Sequence, residues 1–157
     1  MEKAYKLPMR VFELRGRNDE SIKLRIEEVF GFPDETSING GYDANCKLNI
    51  NIGYISVSET AYPASTGAFY EFYNALKTCH EELYGTAKYE VPYIDGSELT
   101  LEIEYGDNSV TVRGKYRGPI PETTEFSFEF TTDQSYINSV LIDLKKIVNT
   151  FGTNKGI

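Results

Sequence analysis

A chain of 157 residues is long enough to bury roughly 70% of its unfolded surface in one core without staples. Its 40% apolar and 25% charged residues exclude a disordered tail, and no apolar run approaches the roughly 20 residues of a membrane-spanning helix. The 24 acidic and 16 basic residues leave a net charge of -8, which repels nucleic-acid phosphate and steers encounters with basic partners. Acidity also serves plain solubility, so charge alone names no partner.

Residues 1–10 hold no apolar segment of a secretory signal, so the cytoplasm is the expected compartment. Val11, Phe12 and Leu14 form an apolar patch ending at Gly16. Ile22, Leu24 and Ile26 then alternate with Lys23, Arg25 and Glu27, the period of a half-buried strand. Pro33, Asp34, Ser37, Asn39 and the flanking glycines mark residues 31–41 as a turn-rich connection. Residues 1–39 therefore read as strands and a loop, either an extension folded onto the body or strands completing a sheet.

Cys46, Leu48, Ile50 and Ile52 alternate with polar residues, as do Ile55 and Val57, which predicts a tight hairpin turning near Gly53. The period then becomes helical. Ser65 or Thr66 is a fitting N-cap, and Phe69, Phe72, Tyr73, Leu76, Cys79 or His80, and Leu83 form one apolar stripe. Gly85 stands where a left-handed residue would stop that helix.

Leu99, Leu101, Ile103 and Tyr105 open a second strand group, followed by Val110, Val112, Gly114 and Tyr116. With Asp107-Asn108 as a two-residue loop, Tyr105 pairs with Val110, Ile103 with Val112, Glu102 with Arg113 and Glu98 with Arg117. Phe126, Phe128 and Phe130 continue the alternation. A last helix starts around residues 131–133, capped through a Thr131–Gln134 capping box or by Asp133. It buries Ile137, Val140, Leu141, Leu144, Ile147, Val148 and Phe151, with residues 152–157 expected to fray. No internal repeat is evident. The fold class is α+β: a largely antiparallel β-sheet with two main α-helices packed on it, in a single domain over residues 1–157.

Chemistry finds few candidates. Two cysteines and one histidine exclude a zinc cluster and a disulfide framework, so no metal or other cofactor is expected. Any histidine catalysis runs through His80, yet its neighbour Cys79 points about 100° away on a helix, and Cys46 is distant in sequence. Glu102 and Glu104 share one strand face about 7 Å apart, a spacing compatible with hydrolase chemistry, although Arg113 and Lys115 favour a charge-paired surface. Glu81 and Glu82 sit late in a helix, where carboxylates oppose the dipole and binding is one reason to keep them. Phosphate-binding loops and the G-x-S-x-G elbow are absent. No catalytic residue emerges.

Tyrosine is abundant, with twelve residues against nine phenylalanines and no tryptophan. Tyr70, Tyr84, Tyr89 and Tyr93 are not all absorbed by the apolar stripes. Exposed tyrosine beside carboxylates suits protein binding, while tyrosine on sheet faces also serves packing.

The stretch Ser65-Thr66-Gly67-Ala68-Phe69-Tyr70-Glu71-Phe72-Tyr73-Asn74-Ala75-Leu76, running on to Glu82-Leu83-Tyr84-Gly85-Thr86-Ala87, resembles the central helix of WapI-type immunity proteins. Gly41-Tyr42-Asp43, Leu48 to Ile55 with Gly53, and Thr132-Asp133-Gln134-Ser135-Tyr136-Ile137 match in the same order. The resemblance covers residues 40–151, leaves residues 1–39 outside it, and finds Val91 to Ser97 longer than the family pattern. It implies a bacterial immunity protein, not an enzyme, that neutralises a contact-dependent, wall-associated toxin by stoichiometric binding. A nuclease toxin has a basic substrate groove, which gives the acidic surface a purpose. Glu81, Glu82, Tyr84, Glu102 and Glu104 are the candidate partner-binding residues. The alternative is a non-catalytic module binding another protein or a small ligand.

Overall fold

Among the described residues, alternating apolar residues build eight strands and helical spacing builds two helices, in the order ββββα twice over. The computed structural model describes residues 5–92, 96–119 and 124–157. β1 (Met9–Arg15), β2 (Ser21–Val29), β3 (Asp43–Ile52) and β4 (Ile55–Ser65) form one antiparallel sheet in chain order, and α1 (Thr66–Glu82) follows. β5 (Gly85–Tyr89), β6 (Glu98–Gly106), β7 (Ser109–Arg117) and β8 (Glu125–Thr132) form a second, followed by α2 (Gln134–Phe151). The α+β class holds, with two four-stranded sheets sharing the strands. The element order repeats although no repeat is evident in the residues.

Each helix packs against the first strand of the other half, α1 on β5 and α2 on β1, and the helices pack on each other. β1 can serve α2 on one side and the core on the other because of a bulge between Arg10 and Phe12, which buries both Val11 and Phe12. Phe12 meets Phe72 of α1 and Tyr89 of β5, with ring centroids 5.8 and 6.2 Å apart. Tyr89 also stacks on Phe69 and shares a buried 3.1 Å hydrogen bond with the Tyr62 hydroxyl, so one cluster joins both sheets to α1. Residues 9–29 are thus integral strands of the first sheet. Thr132 Oγ1 donates to the Arg15 carbonyl, and the Arg17 amide donates to the Thr131 carbonyl at 3.0 Å, which ties β8 to the end of β1.

Several local expectations change. Ser65 is the N-cap of α1, its hydroxyl accepting from the Ala68 amide at 3.2 Å, while Thr66 Oγ1 accepts from the Tyr42 amide at 2.8 Å. The helix stops at Leu83, in the left-handed region with φ 56°, two residues before Gly85. Leu83 consequently leaves the apolar stripe and is exposed. Thr131 lies in β8 and forms no capping box; Asp133 takes the N-cap position of α2 without a side-chain cap bond. The C-terminal tail is docked rather than frayed. The Gly41 amide donates to the Asn154 carbonyl at 2.7 Å, and the Ile157 amide donates to the Tyr42 hydroxyl at 3.0 Å.

Candidate functional site

The last turn of α1 carries Glu81 and Glu82, both exposed, with Glu81 3.8 Å from Lys77 one turn earlier. Leu83 and Tyr84 follow in the tight exit from the helix, and the Tyr84 amide donates to the Cys79 carbonyl at 3.3 Å. That turn leaves Leu83 54% and Tyr84 76% exposed. The chain then enters β5, whose Ala87 and Tyr89 point into the core while Thr86 and Lys88 face out.

Register joins this exit to the second sheet. Thr86 pairs with Glu104 and Lys88 with Glu102, so Tyr84, two residues before Thr86, rims the same end of the sheet as Glu104. Glu102 lies one step further along the outer face. Four of the five expected residues are exposed and Glu104 is half-buried, but they are not equivalent. Glu104 is held by Arg113 at 3.0 Å, and Arg113 also holds Glu129 at 2.8 Å. These hydrogen bonds, Glu104's first, raise the Arg113 pKa further above its ordinary value. Glu102 sits between Lys88 and Arg113 in the register yet forms no ion pair among the described residues.

The predicted pairs of Glu98 with Arg117 and Glu102 with Arg113 are both in register, and Arg117 reaches Glu98 at 2.6 Å. A groove of about 630 Å³ runs over this face, lined by Lys88, Thr100, Glu102, Arg113, Lys115 and Glu129 among others. Its lining takes in Glu102 but not Glu104, so the two carboxylates do not converge there as a catalytic pair.

The nucleophile candidates also separate. Cys46 is buried in β3, and burial pushes its thiol pKa upward, with Glu27 adding to the shift. Burial likewise raises Cys79, helped by the nearby Glu82 charge. Neither environment favours a thiolate. The His80 ring bonds instead to the buried Tyr105 hydroxyl, 2.6 Å from Nδ1, which fastens the end of α1 to β6. Among the described residues no group of three or more His, Cys, Asp or Glu side chains is placed to hold a metal ion. Among the described residues no helix is long and apolar enough to cross a membrane either.

The tyrosines divide by environment. Tyr89 is wholly buried, Tyr70 half-buried and Tyr84 exposed, while Tyr93 and the middle of the 91–97 stretch lie outside the described residues. Among the described residues several exposed apolar side chains escaped the sequence reading, Leu83 and Tyr54 among them. Leu83 fits the helical period and so looked like core; Tyr54 occupies a turn next to Gly53, where an aromatic side chain has no local structural task.

The model of the immunity protein WapI-like family matches residues 13–152. No curated protein and no solved structure matches the chain. The family match begins within β1 and includes all of β2, so it extends well before residue 40. With most of its length matched, the chain belongs to the immunity protein WapI-like family.

Proposed function

We propose that this protein protects its host cell by binding one cognate toxin in the cytoplasm, stoichiometrically and without catalysis. The observation that carries this reading is the family match over residues 13–152. The inferred partner is a toxin domain with a basic surface, of which a nuclease is the leading kind, because the net charge of -8 steers such a partner inward. The inferred contact runs from Glu81, Glu82 and Tyr84 at the end of α1 to Glu104 and Glu102 on the outer face of the second sheet. Exposed carboxylates around an exposed aromatic suit recognition of a basic protein.

The test is co-expression with the toxin domain encoded immediately upstream, together with a pull-down of the two purified chains. Restored growth and a salt-sensitive one-to-one complex are expected. Loss of growth despite expression, with no complex at low salt, would overturn the reading.

A further inference from the structure

Among the described residues, large apolar side chains that are both exposed and adjacent in sequence occur in two places, Leu83–Tyr84 and Tyr54–Ile55. The second pair lies at the tip of the β3–β4 hairpin. Ile52 pairs with Ile55, leaving Gly53 and Tyr54 as a two-residue turn. Gly53 has φ 58°, a conformation suited to glycine in such a turn. Nothing lies within 4 Å of a Cβ built there, so the apex stands in open space.

Tyr54 is fully exposed and Ile55 is 49% exposed. The second position of a glycine-led turn is usually small and polar, so neither turn geometry nor packing calls for tyrosine. The base of the tip is held in place by side chains. Ser56 Oγ donates to Asn51 Oδ1 across the strands at 2.9 Å, and Asn51 Nδ2 reaches Ser21 Oγ on β2 at 3.5 Å. An aromatic on a pinned hairpin loses little freedom when it docks, which makes it an efficient anchor.

The surroundings indicate the partner. Ser21 pairs with both Arg15 and Asn51, so the β1–β2 turn lies at the same end of the sheet as Tyr54. That turn carries Asp19, exposed, and Glu20, whose carboxylate accepts from the Asn18 amide at 2.9 Å, while the cation of the same turn, Arg17, is held by Asp133 at 2.7 Å. An aromatic apex with carboxylates and hydroxyls beside it complements an apolar cleft with a basic rim.

We infer that the Gly53–Tyr54 hairpin tip inserts into such a cleft on the toxin, with Tyr54 as the anchor. This rests on the toxin-binding reading above. It adds a second contact, distinct from the α1 exit, and points to inhibition by filling a cavity of the toxin.

The experiment measures affinity for the upstream-encoded toxin domain by calorimetry, for the unaltered protein and for Tyr54→Ala, Tyr54→Phe and Tyr84→Ala. Tyr54→Ala is expected to weaken binding about 30-fold or more, the loss of a hot-spot aromatic, without moving the melting temperature. Tyr54→Phe, which keeps the ring, is expected to restore most of the affinity. Binding by Tyr54→Ala within twofold of the unaltered protein would overturn this inference and leave the toxin-binding reading standing. Absence of binding by the unaltered protein would remove that reading, and this one with it.

Discussion

Arg17 reaches from the β1–β2 turn to Asp133 at the start of α2, with Nε and a terminal guanidinium nitrogen 2.8 and 2.7 Å from the same carboxylate oxygen. Asp133 occupies the N-cap position, yet its side chain serves this cross-chain pair instead of the helix amides. The pair joins segments 116 residues apart, beside the backbone bond from Arg17 to Thr131. A carboxylate that would favour one helix locally has been recruited to hold the two halves together.

This arrangement separates two substitutions. Asp133→Ala removes the ion pair and the favourable charge at the helix start, and is expected to cost about 0.5–1 kcal/mol because both groups are partly exposed. Asp133→Ser also loses the pair but supplies a cap hydroxyl, typically worth about 1 kcal/mol, and should unfold close to the unaltered protein. Urea titrations of both variants decide the matter. Equal destabilisation would mean that the helix start cannot accept a cap bond.

Gly67 provides a test of packing against propensity. It lies in the first turn of α1, donating its amide to the Gly40 carbonyl at 3.1 Å. A Cβ there would stand 2.4 Å from the Gly40 carbonyl carbon and 2.5 Å from its oxygen. Alanine would gain about 1 kcal/mol in helix propensity, but it would force two backbone segments apart at a typical cost of about 1–3 kcal/mol. Gly67→Ala is therefore expected to lower the melting temperature. A rise would show that the loop before β3 yields easily.

The legible parts of the fold were those in which one physical signal spoke alone. Ile22, Leu24 and Ile26 alternate cleanly, and Asp107-Asn108 fixes the register of β6 on β7 because a two-residue loop leaves no slack. Asn108 accepts φ 64° there. β5 was missed because it is five residues long and buries two side chains, Ala87 and Tyr89, too little to stand out as a period. The division into two sheets was hidden as well, since hairpin lengths are the same in one sheet or two. At the candidate surface the carboxylates could be placed from register. The exposure of Leu83 could not, because a helical period continues in sequence whether or not the helix does.

Acid should act on this protein through two neighbouring carboxyls with opposite signs. Burial by itself would raise Glu13, but the Arg15 hydrogen bond and the charges of Arg15, Lys23 and Arg10 outweigh it and leave the pKa below the ordinary 4.5. A depressed pKa gives stability that is present above the unfolded value and lost as pH falls through the folded one. Asp143 is the reverse: burial raises it above 3.8, Glu13 adds to the rise, and Arg10 and Lys146 oppose it. Its contribution is present below the unfolded value and lost as pH rises through the folded one. Glu13→Gln should lower neutral-pH stability and flatten the acid limb below about pH 4.5. Asp143→Asn should raise neutral-pH stability and steepen that limb. Urea midpoints from pH 3 to 7 (about one titration range of a carboxyl on each side) give the answer. Parallel curves for the two variants would contradict both signs.

In the proposed complex the carboxylates at the end of α1 would act on encounter more than on the strength of the bound state. Glu81 and Glu82 are exposed, so in the bound state they gain little from any one contact, but their field acts over about a Debye length as a basic partner approaches. Replacing both by lysine should slow association with the toxin domain about tenfold at low salt and flatten the dependence of that rate on ionic strength. Dissociation should change less. Loss of the Lys77–Glu81 contact costs a few tenths of a kcal/mol at most, too little to mimic the effect through unfolding. Stopped-flow association at two salt concentrations separates the cases. An unchanged rate and an unchanged salt slope would place the steering charge elsewhere, with Asp19 and Glu20 beside the Tyr54 hairpin the next carboxylates to reverse.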